Sequence, residues 1–515
     1  MGFEDFLQSI VVLINEANNQ RRIEIVQREA DRISNFYYGV NREDLFRRLH
    51  QELEQDVELY YLVLFAIYFV VKDPKCLEVM ECLLFHRELD IFVAENIIFQ
   101  LKNFKFRDIN IPVSYRKERE INEYLLNRYL EEYPINIPFL PYAERNKRRI
   151  IVATNTLMEI VHAPSRVVLD VCKILQRELK YEVMLIVNVA NPKLARMQQY
   201  CLFPYITCYK SELNGKCTVE YAGEKISTYQ IMWNQNSIPD LQKLLQEIYD
   251  WKPLCVWYIG GSSFVQDIYS KIITEISMPC TDGYSVSEAP VMLSYMKSDS
   301  EYIKESMDYI KGKEQKTYNV QMVIEHKDEG KNYRKEDFGF PKDCFLICIV
   351  GTRLDSEMSL EFIDMIQEIV KEQNIYLMVI GKCKEDRFPD LERDKVKYLG
   401  MRIDLVDVIK VADLFVNPPR KGGGGGAARA IAMGVPVVSL KGCDVANVIG
   451  TELCCLNLDE MRQKIVRCRN DECFYNENVK KTLERHCQRV KESNAVSYNK
   501  MLEQVKDWLS KGEIL

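Results

Sequence analysis

Long hydrophobic runs are missing from this sequence. Its most apolar stretch, Leu59–Val71, has 13 residues without a charge, fewer than the roughly 20 that a membrane-spanning helix requires. We therefore expect a buried core helix there. The positive charge that begins a signal peptide is missing too, because Glu4 and Asp5 occupy its place. Both absences predict a cytoplasmic protein without a membrane span.

Disulfide and metal-site spacings are missing as well. The 17 cysteines are scattered without CxxC pairs or histidine-containing metal spacings, so we expect reduced, mostly buried thiols and no bound metal. Positive charge is in deficit, with a net charge of -7. Such a balance gives no general attraction to nucleic acid or anionic lipid, so an anionic ligand needs a local site. The tightest basic run, Arg145–Arg149, is interpreted as a solvated linker beside a strand.

The chain is organised as a helical region followed by two α/β units. A length of 515 residues exceeds what one hydrophobic core supports. Residues 1–146 carry apolar positions at helical spacing until a cluster of prolines ends the pattern. Strands and helices then alternate, which is typical of parallel sheets and predicts Rossmann-like domains at 147–327 and 341–476. Closing helices are expected in 477–515.

The segment between positions 412 and 438 is the most informative. A short strand ending at Asn417 runs into Gly422–Gly426, and an alanine-rich helix leads to the next strand. Glycines let backbone N–H groups approach a ligand, and the following helix directs its positive dipole end to the same place. We therefore expect a diphosphate site. A flexible surface loop, the alternative, fits less well because the run is held between a buried strand and an apolar helix.

These residues resemble a known group of enzymes. The strand ADLFVNP, the glycine run and the segment AIAMGVPVV resemble the donor half of GT-B glycosyltransferases, including family 4 and the protein O-N-acetylglucosaminyl transferases. Val350–Asp355 is similar to the first strand and loop of that half, and Tyr398–Arg402 to its base-binding corner. The resemblance covers 345–440 well and 1–146 not at all. It implies an α/β fold with two Rossmann-like domains facing a cleft.

The resemblance also implies a set of donor-binding residues. Arg353, in the loop after the first strand, is expected to reach the diphosphate, and Gly400–Arg402 are expected to line the base. The glycine run is expected to hold the phosphates. The residues concerned are Gly351, Arg353, Gly400, Met401, Arg402, Lys421, Gly423, Gly424, Gly425, Gly426, Ala427 and Arg429.

Three positions depart from the family's pattern. Lys421 and Arg429 lie where many family-4 enzymes have two glutamates that contact the donor sugar and ribose, and Met358 replaces a basic lysine. Retaining or inverting stereochemistry and the usual ribose contact therefore stay open.

Candidate catalytic residues come from the first α/β unit. His162 follows a strand and precedes a helix, a place that faces the cleft in GT-B enzymes, and a histidine pKa of about 6.5 suits a proton acceptor. Asp282 and Glu288 are the carboxylate alternatives, although turn or helix-capping roles are more typical of such residues. The sequence has no DxD pair and no Ser/His/Asp order, which argues against hydrolysis and against metal-dependent transferases of the other common fold.

The sequence thus predicts a metal-independent glycosyltransferase that uses a nucleotide sugar, with a UDP-sugar favoured, and no further cofactor. The acceptor, a polypeptide or a glycan, is expected to enter from the N-terminal side of the cleft, and the helical region to recruit it or a protein partner. No nucleic-acid or membrane partner is expected. A non-catalytic GT-B subunit that binds or chaperones a partner is the alternative, because the two glutamates are replaced.

Overall fold

Seven helices form the first part of the protein, which is known here from a computed structural model. The helices are α1 (Phe3–Glu16), α2 (Ile23–Gly39), α3 (Arg42–Leu53), α4 (Val57–Val71), α5 (Pro74–Leu83), α6 (Ile91–Arg107) and α7 (Tyr115–Glu132). Asn41 and Asp56 cap the helices that follow them by accepting backbone N–H bonds. The predicted core helix is confirmed, because α4 is buried over most of its length.

The structure describes residues 2–16, 23–107, 111–158, 162–190, 214–233, 235–260, 263–280, 283–294, 300–322, 330–490 and 493–515.

An eight-stranded sheet follows the helices. Its strands are β1 (Arg149–Thr154), β2 (Glu182–Ala190), β3 (Gly215–Tyr221), β4 (Glu224–Trp233), β5 (Cys255–Ile259), β6 (Glu275–Met278), β7 (Val291–Ser294) and β8 (Lys316–Asn319). The order is β3-β4-β2-β1-β5-β6-β7-β8, and every neighbouring pair is parallel except the β3–β4 hairpin. This is a Rossmann order, β4-β2-β1-β5-β6-β7, with one strand added at each edge, and its direction reverses between β1 and β5.

Both faces of this sheet are covered. Side chains alternate along each strand, so Ile151 and Ala153 point to the core shared with the helical region, whereas Ile150 and Val152 point to the opposite core. Among the described residues of this unit, the α-helices are α8 (Ala163–Arg177), α9 (Ile238–Trp251) and α10 (Glu301–Gly312). The helical region is therefore packed directly on the first sheet.

Helix α7 is the main polar link between that region and the sheet. The fully buried Arg119 donates from Nη2 to Glu288 Oε1 at 2.7 Å, and Asn122 donates to Asp267 Oδ2 at 2.6 Å. Burial raises the pKa of Asp267 to about 6, against the lowering effect of its hydrogen bonds. These contacts fix α7 to the loops that precede β6 and β7.

A five-stranded parallel sheet forms the second α/β unit. Its strands are β9 (Phe345–Gly351), β10 (Ile375–Gly381), β11 (Val396–Tyr398), β12 (Leu414–Val416) and β13 (Val437–Val438), in the order β11-β10-β9-β12-β13. The order reverses between β9 and β12, as in a Rossmann half. The helices are α11 (Leu354–Glu357), α12 (Leu360–Glu372), α13 (Leu405–Ile409), α14 (Gly424–Ala432), α15 (Asp444–Ile449), α16 (Leu458–Asn470), α17 (Glu472–Arg489) and α18 (Asn494–Lys511).

The last two helices belong to different units. Helix α17 packs on the second unit, where Arg485 donates to the carbonyl oxygens of Asn447 and Val448. Helix α18 returns to the first sheet and buries Tyr498 edge-on against Trp257, with ring centroids 5.1 Å apart. The chain therefore ends in the core of its first α/β unit.

Several features differ from the sequence interpretation. After β5 the described chain has only a short 3-10 helix, Gln266–Lys271. Strands β6, β7 and β8 and helix α10 were not anticipated, because strands of four residues are too short to show alternation. The solvated-linker interpretation is wrong for Arg145, which is buried and donates to Leu140 O and Thr274 Oγ1.

The thiols and helices agree with the compositional expectations. The 15 cysteines in the described part of the chain are unpaired, and eight of them are buried. Among the described helices, none is both long and apolar enough to cross a membrane.

Candidate functional site

The carboxyl ends of three strands of the second sheet meet through glycines. Gly381, at the end of β10, donates its N–H to Gly400 O at 2.8 Å, and Lys382 donates to Gly351 O at 3.0 Å. Gly381 has a φ of 116°, and a Cβ there would lie 1.9 Å from the carbonyl oxygen of Gly351. Only glycine fits this close approach. The loop at Gly351 and the corner at Gly400 are thus held together by backbone alone.

The glycine run forms the beginning of α14. The sequence interpretation placed the turn in the glycines themselves, whereas the structure makes the turn before Gly424 and uses Gly424–Gly426 as the first turn of the helix. Gly426 and Ala427 already donate their N–H groups to Gly423 O. The amides of Gly424 and Gly425 precede these bonds and point out of the helix start, as the first N–H groups of any helix do.

Packing requires glycine at position 423 and leaves little space for a side chain at positions 424 and 426. A Cβ at Gly423, which has a φ of 109°, would lie 2.3 Å from Asn417 Oδ1. A Cβ at Gly424 would lie 3.0 Å from Asp444 Cβ, and one at Gly426 would lie 3.1 Å from the ring of Phe415. The run is therefore fitted into the fold at the domain interface and does not project into solvent. At Gly425 the nearest atom to such a Cβ is 3.5 Å away, so this position has room.

A buried arginine that the sequence analysis did not select braces the loop after β9. Arg420 donates to Glu357 Oε2 at 2.7 Å and to Val350 O at 2.6 Å. Arg353 donates to Glu357 Oε1 at 2.9 Å, and its side chain is 41% exposed. One carboxylate is shared by two guanidinium groups, so the cluster carries a net positive charge. In the sequence, Arg420 lies between strand β12 and the glycine run, and this position is the feature that could have identified it.

Two further cations lie along the glycine run. Lys421 donates from Nζ to the carbonyl oxygen of Lys105 in α6, which connects this loop to the helical region. Arg429 donates from Nη1 to Gly425 O at 2.8 Å, so its side chain lies back along α14 towards the helix start. Burial, with the charge of Arg166 as a second cause, lowers the pKa of Arg429 to about 10. Arg166 belongs to α8, so the two α/β units meet here.

His162 lies on the other side of this interface. It precedes α8 as its N-cap, and its Nδ1 is 2.8 Å from Ser165 Oγ, which itself accepts the N–H of Met158 at 2.7 Å. Burial, and secondly the charge of Arg353, lower the pKa of His162 below its usual value. The imidazole is therefore neutral at pH 7 and lies close enough to Arg353 to respond to its charge.

At the predicted base-binding corner, Arg402 is already engaged in contacts within the protein. Arg402 donates to both carboxylate oxygens of Asp404 at 2.8 Å, while Lys331 and Tyr333 bond the same carboxylate. Hydrogen bonds from these three side chains lower the pKa of the buried Asp404, against the raising effect of burial. Met401 is 57% exposed at this corner. Its side chain offers an apolar surface, whereas the Arg402 guanidinium is already paired.

Of the two carboxylate alternatives to His162, only Glu288 belongs to the described residues. Asp282 lies outside the described residues. Glu288 is paired with Arg119 of α7 and therefore fixes the helical region to the sheet. In the part of the chain that the structure describes, no group of three or more histidine, cysteine, aspartate and glutamate side chains is arranged to hold a metal ion.

The architecture and the site together define a class. Two Rossmann-like domains whose strand ends face one another across an interface form the GT-B arrangement. Residues 345–471 match the model of the family described as glycosyl transferases group 1. The matched range contains the glycine run, Arg353 and the glycine-linked strand ends, and it supports glycosyl transfer as the type of reaction. A search of curated proteins gives no match.

Solved structures provide more distant comparisons. A mutant of the Thermobaculum terrenum O-GlcNAc transferase is 11% identical and covers 100% of this chain and 99% of its own, with a TM-score of 0.48. An E. coli structure described as trehalose-6-phosphate bound with UDP-2-fluoro glucose is 10% identical, covers 70% and 99%, and has a TM-score of 0.49. An Anabaena protein in complex with UDP is 11% identical, covers 70% and 100%, and has a TM-score of 0.43. Similarity at this level does not establish a function for this chain. The architecture described above follows from the orders of its two sheets.

Proposed function

We propose that this chain is a glycosyltransferase that moves a sugar from a nucleotide diphosphate donor, a UDP-sugar, to an acceptor hydroxyl. The donor binds the second α/β domain, and a polypeptide or glycan acceptor enters beside the first. The observation that carries the proposal is that Arg353 and the start of α14 both follow strands that border the β9–β12 switch point, and that Arg353 lies close enough to His162 of the other domain to affect its pKa. Switch points are where open α/β sheets bind ligands.

The α14 start and its neighbouring cations suit a leaving diphosphate. The bond between the anomeric carbon and the β-phosphate oxygen breaks, the acceptor oxygen bonds to that carbon, and the acceptor proton is taken up by a base. Negative charge grows on the departing oxygen. The N–H groups of Gly424 and Gly425 and the cations Arg353 and Lys421 stabilise it, so the proposed step needs no metal ion.

His162 is the proposed base. Ser165 Oγ has two lone pairs and can accept both the Met158 N–H and a proton carried on His162 Nδ1. In that tautomer Nε2 keeps its lone pair for the acceptor hydroxyl. The lowered pKa of His162 keeps this nitrogen unprotonated at neutral pH.

Arg353→Ala is expected to weaken UDP binding by about 10- to 100-fold, because a charge-assisted contact to the diphosphate is lost. Isothermal titration calorimetry measures the effect. Arg393→Ala, at an exposed arginine of the same domain, is the matched control and should leave the affinity unchanged. Unchanged UDP affinity in Arg353→Ala would contradict the proposed diphosphate site.

His162→Ala is expected to lower turnover by about 100-fold while UDP affinity is kept, because general-base catalysis is removed. In the wild type, turnover should fall only as the pH drops below the lowered pKa of His162. Arg353→Ala removes the charge that, together with burial, lowers this pKa, so the acid limb of its profile should move to higher pH. A pH profile of turnover for the two proteins checks this, and an unmoved limb would exclude His162 as the titrating group.

The alternative, a non-catalytic subunit that binds or chaperones a partner, is motivated by Lys421 and Arg429 at the two positions where glutamates are usual. The family match does not favour it. Slow release of UDP from one sugar nucleotide supports the enzyme. No release across a donor panel, together with a tightly bound protein in a pulldown, supports the subunit.

A further inference from the structure

Three parts of the chain meet at one buried lysine. Lys105, near the end of α6, places its ammonium group 2.5 Å from Glu81 Oε1 and 3.1 Å from Glu118 Oε1, and its side chain is only 10% exposed. Glu118 also accepts a hydrogen bond at 3.2 Å from Tyr302 of α10, in the first α/β unit. The carbonyl oxygen of Lys105 accepts from Lys421, in the second α/β unit. We refer to Lys105, Glu81 and Glu118 as the Lys105 cluster.

The Lys105 cluster holds the end of α6 against its neighbouring helices. Glu81 belongs to α5 and Glu118 to α7, so the ammonium group joins three helices. Burial by itself lowers the pKa of Lys105, but the charges of Glu118 and Glu81 raise it above its usual value. The lysine is therefore charged at pH 7, and a buried charge requires partners of this kind. The last turn of α6 is fixed as a result.

Lys421 contacts α6 at a place that suits a cation. Lys105 is among the last four residues of the helix, Ile91–Arg107, where carbonyl groups lack partners within a helix and carry the negative end of its dipole. The backbone of Lys421 is held separately, because its carbonyl oxygen accepts the N–H of Asp444 at 2.8 Å. Both ends of the Lys421 side chain are therefore fixed, one by the second α/β unit and the other by the helical region.

This arrangement prepares Lys421 to bind an anion. Ordering a free lysine side chain costs conformational entropy, and a side chain that the protein has already ordered loses less when a ligand binds. An ammonium group has three N–H donors that point in different directions, so a bond to a carbonyl oxygen is compatible with another bond to a phosphate oxygen. Lys421 belongs to the loop that leads directly into Gly423, the N-cap of α14.

We propose that Lys105 is a positioning residue for donor binding, because the Lys105 cluster fixes the carbonyl group that holds the Lys421 ammonium group beside the diphosphate. This inference rests on the proposed function and gives the helical region a part in the donor site. The coupling is reciprocal, because bound UDP must stabilise the end of α6 by the same free energy that this end contributes to UDP binding.

Lys105→Met tests the inference by calorimetry with UDP. Binding should weaken about five- to tenfold. The same change in a Lys421→Met background should cause no further loss, because Lys105 acts through Lys421. Arg128→Met is the matched control. The Arg128 side chain is also 10% exposed and pairs with Glu132 elsewhere in the helical region, so its loss should leave the affinity for UDP unchanged.

Lys105→Met leaves a partner for each buried acid. Glu81 keeps its ion pair with Lys117, and Glu118 keeps its hydrogen bond from Tyr302. A general loss of structure would weaken UDP binding in both backgrounds, so equal losses in the two backgrounds overturn the inference. Undiminished UDP affinity of the single variant overturns it as well.

Hydrogen exchange of the wild-type chain gives a second test, which needs no variant to fold. Saturating UDP should slow amide exchange in the last turn of α6, residues 104–107, by about the same five- to tenfold and leave α1 unchanged. Lys421→Met saturated with UDP should lose this slowing. Unchanged exchange at the end of α6 while UDP binds overturns the inference alone. Absence of any UDP binding by the wild type contradicts the proposed function itself.

Discussion

Gly425→Asp is expected to abolish nucleotide-sugar binding and leave the fold intact. The position has room for a side chain, because the nearest atom to an added Cβ is 3.5 Å away and the backbone is helical. An acidic residue in the first turn also interacts favourably with the helix dipole. The new carboxylate, however, occupies the place proposed for the diphosphate. Two like charges about 4 Å apart repel by about 4 kcal/mol at an interface. Arg429 Nη1, the nearest atom to the added Cβ, can pair with the new carboxylate and offset part of this repulsion, so UDP affinity should fall at least about 100-fold.

Two controls make this expectation specific. Gly425→Ala adds only a methyl group and should cost at most about tenfold in UDP affinity, since it adds no charge. Gly312→Asp adds the same charge at the end of α10, where nothing lies within 4 Å of an added Cβ, and should have no effect on binding. Calorimetry and thermal unfolding are measured on all three variants. If Gly425→Asp binds UDP as the wild type does, the diphosphate is not at the start of α14.

Gly381→Ala is expected to lower the free energy of unfolding of the second domain by about 4 kcal/mol or more. The added methyl carbon would overlap the carbonyl oxygen of Gly351, 1.9 Å away, and the φ of 116° is itself strained for any other residue. Relief requires β9 and β10 to separate at their carboxyl ends. The loop that carries Arg353 would move with them, so UDP binding should be lost as well.

Gly442→Ala is the control that distinguishes steric overlap of an added methyl group from backbone strain. Gly442 also has a positive φ, 79°, but nothing lies within 4 Å of an added Cβ. This variant should lose only about 1 to 2 kcal/mol. Urea unfolding monitored by circular dichroism compares the two. Similar losses in both variants would show that the close approach of Gly381 to Gly351 does not determine stability.

The second domain could be anticipated from local sequence because its signals are local. A β-branched run, a glycine-rich corner and an alanine-rich helix follow one another within about 25 residues, and each has a distinct physical signature. The strand at 414–416 agrees with the predicted short strand that ends at Asn417, and β9 agrees with the first strand that the resemblance implied. The helix begins earlier than expected, at Gly424, because a run of glycines by itself predicts a turn and the local pattern does not show where the helix starts.

The contacts that complete the site could not be anticipated, because they join distant parts of the chain. Arg420 and Glu357 are 63 residues apart, and Lys421 and Lys105 are 316 apart. Nothing in the local pattern indicates such partners. The sequence also gave no sign that Glu288 would pair with Arg119, since a carboxylate after a turn is usually a cap. The roles assigned to His162 and to the donor-binding residues stay predictions until the variants above are measured.

During synthesis, the core of the first α/β domain cannot be completed before helix α18 has been made. Its strands emerge between residues 149 and 319, whereas the side chains that close one of their faces, among them Tyr498, Met501 and Val505, belong to Asn494–Lys511. Trp257 and its apolar neighbours therefore lack their final cover while the second domain, whose core is drawn from 340–475, can already fold. One apolar face of the first sheet is thus expected to stay exposed, and prone to aggregation, until helix α18 has been synthesised.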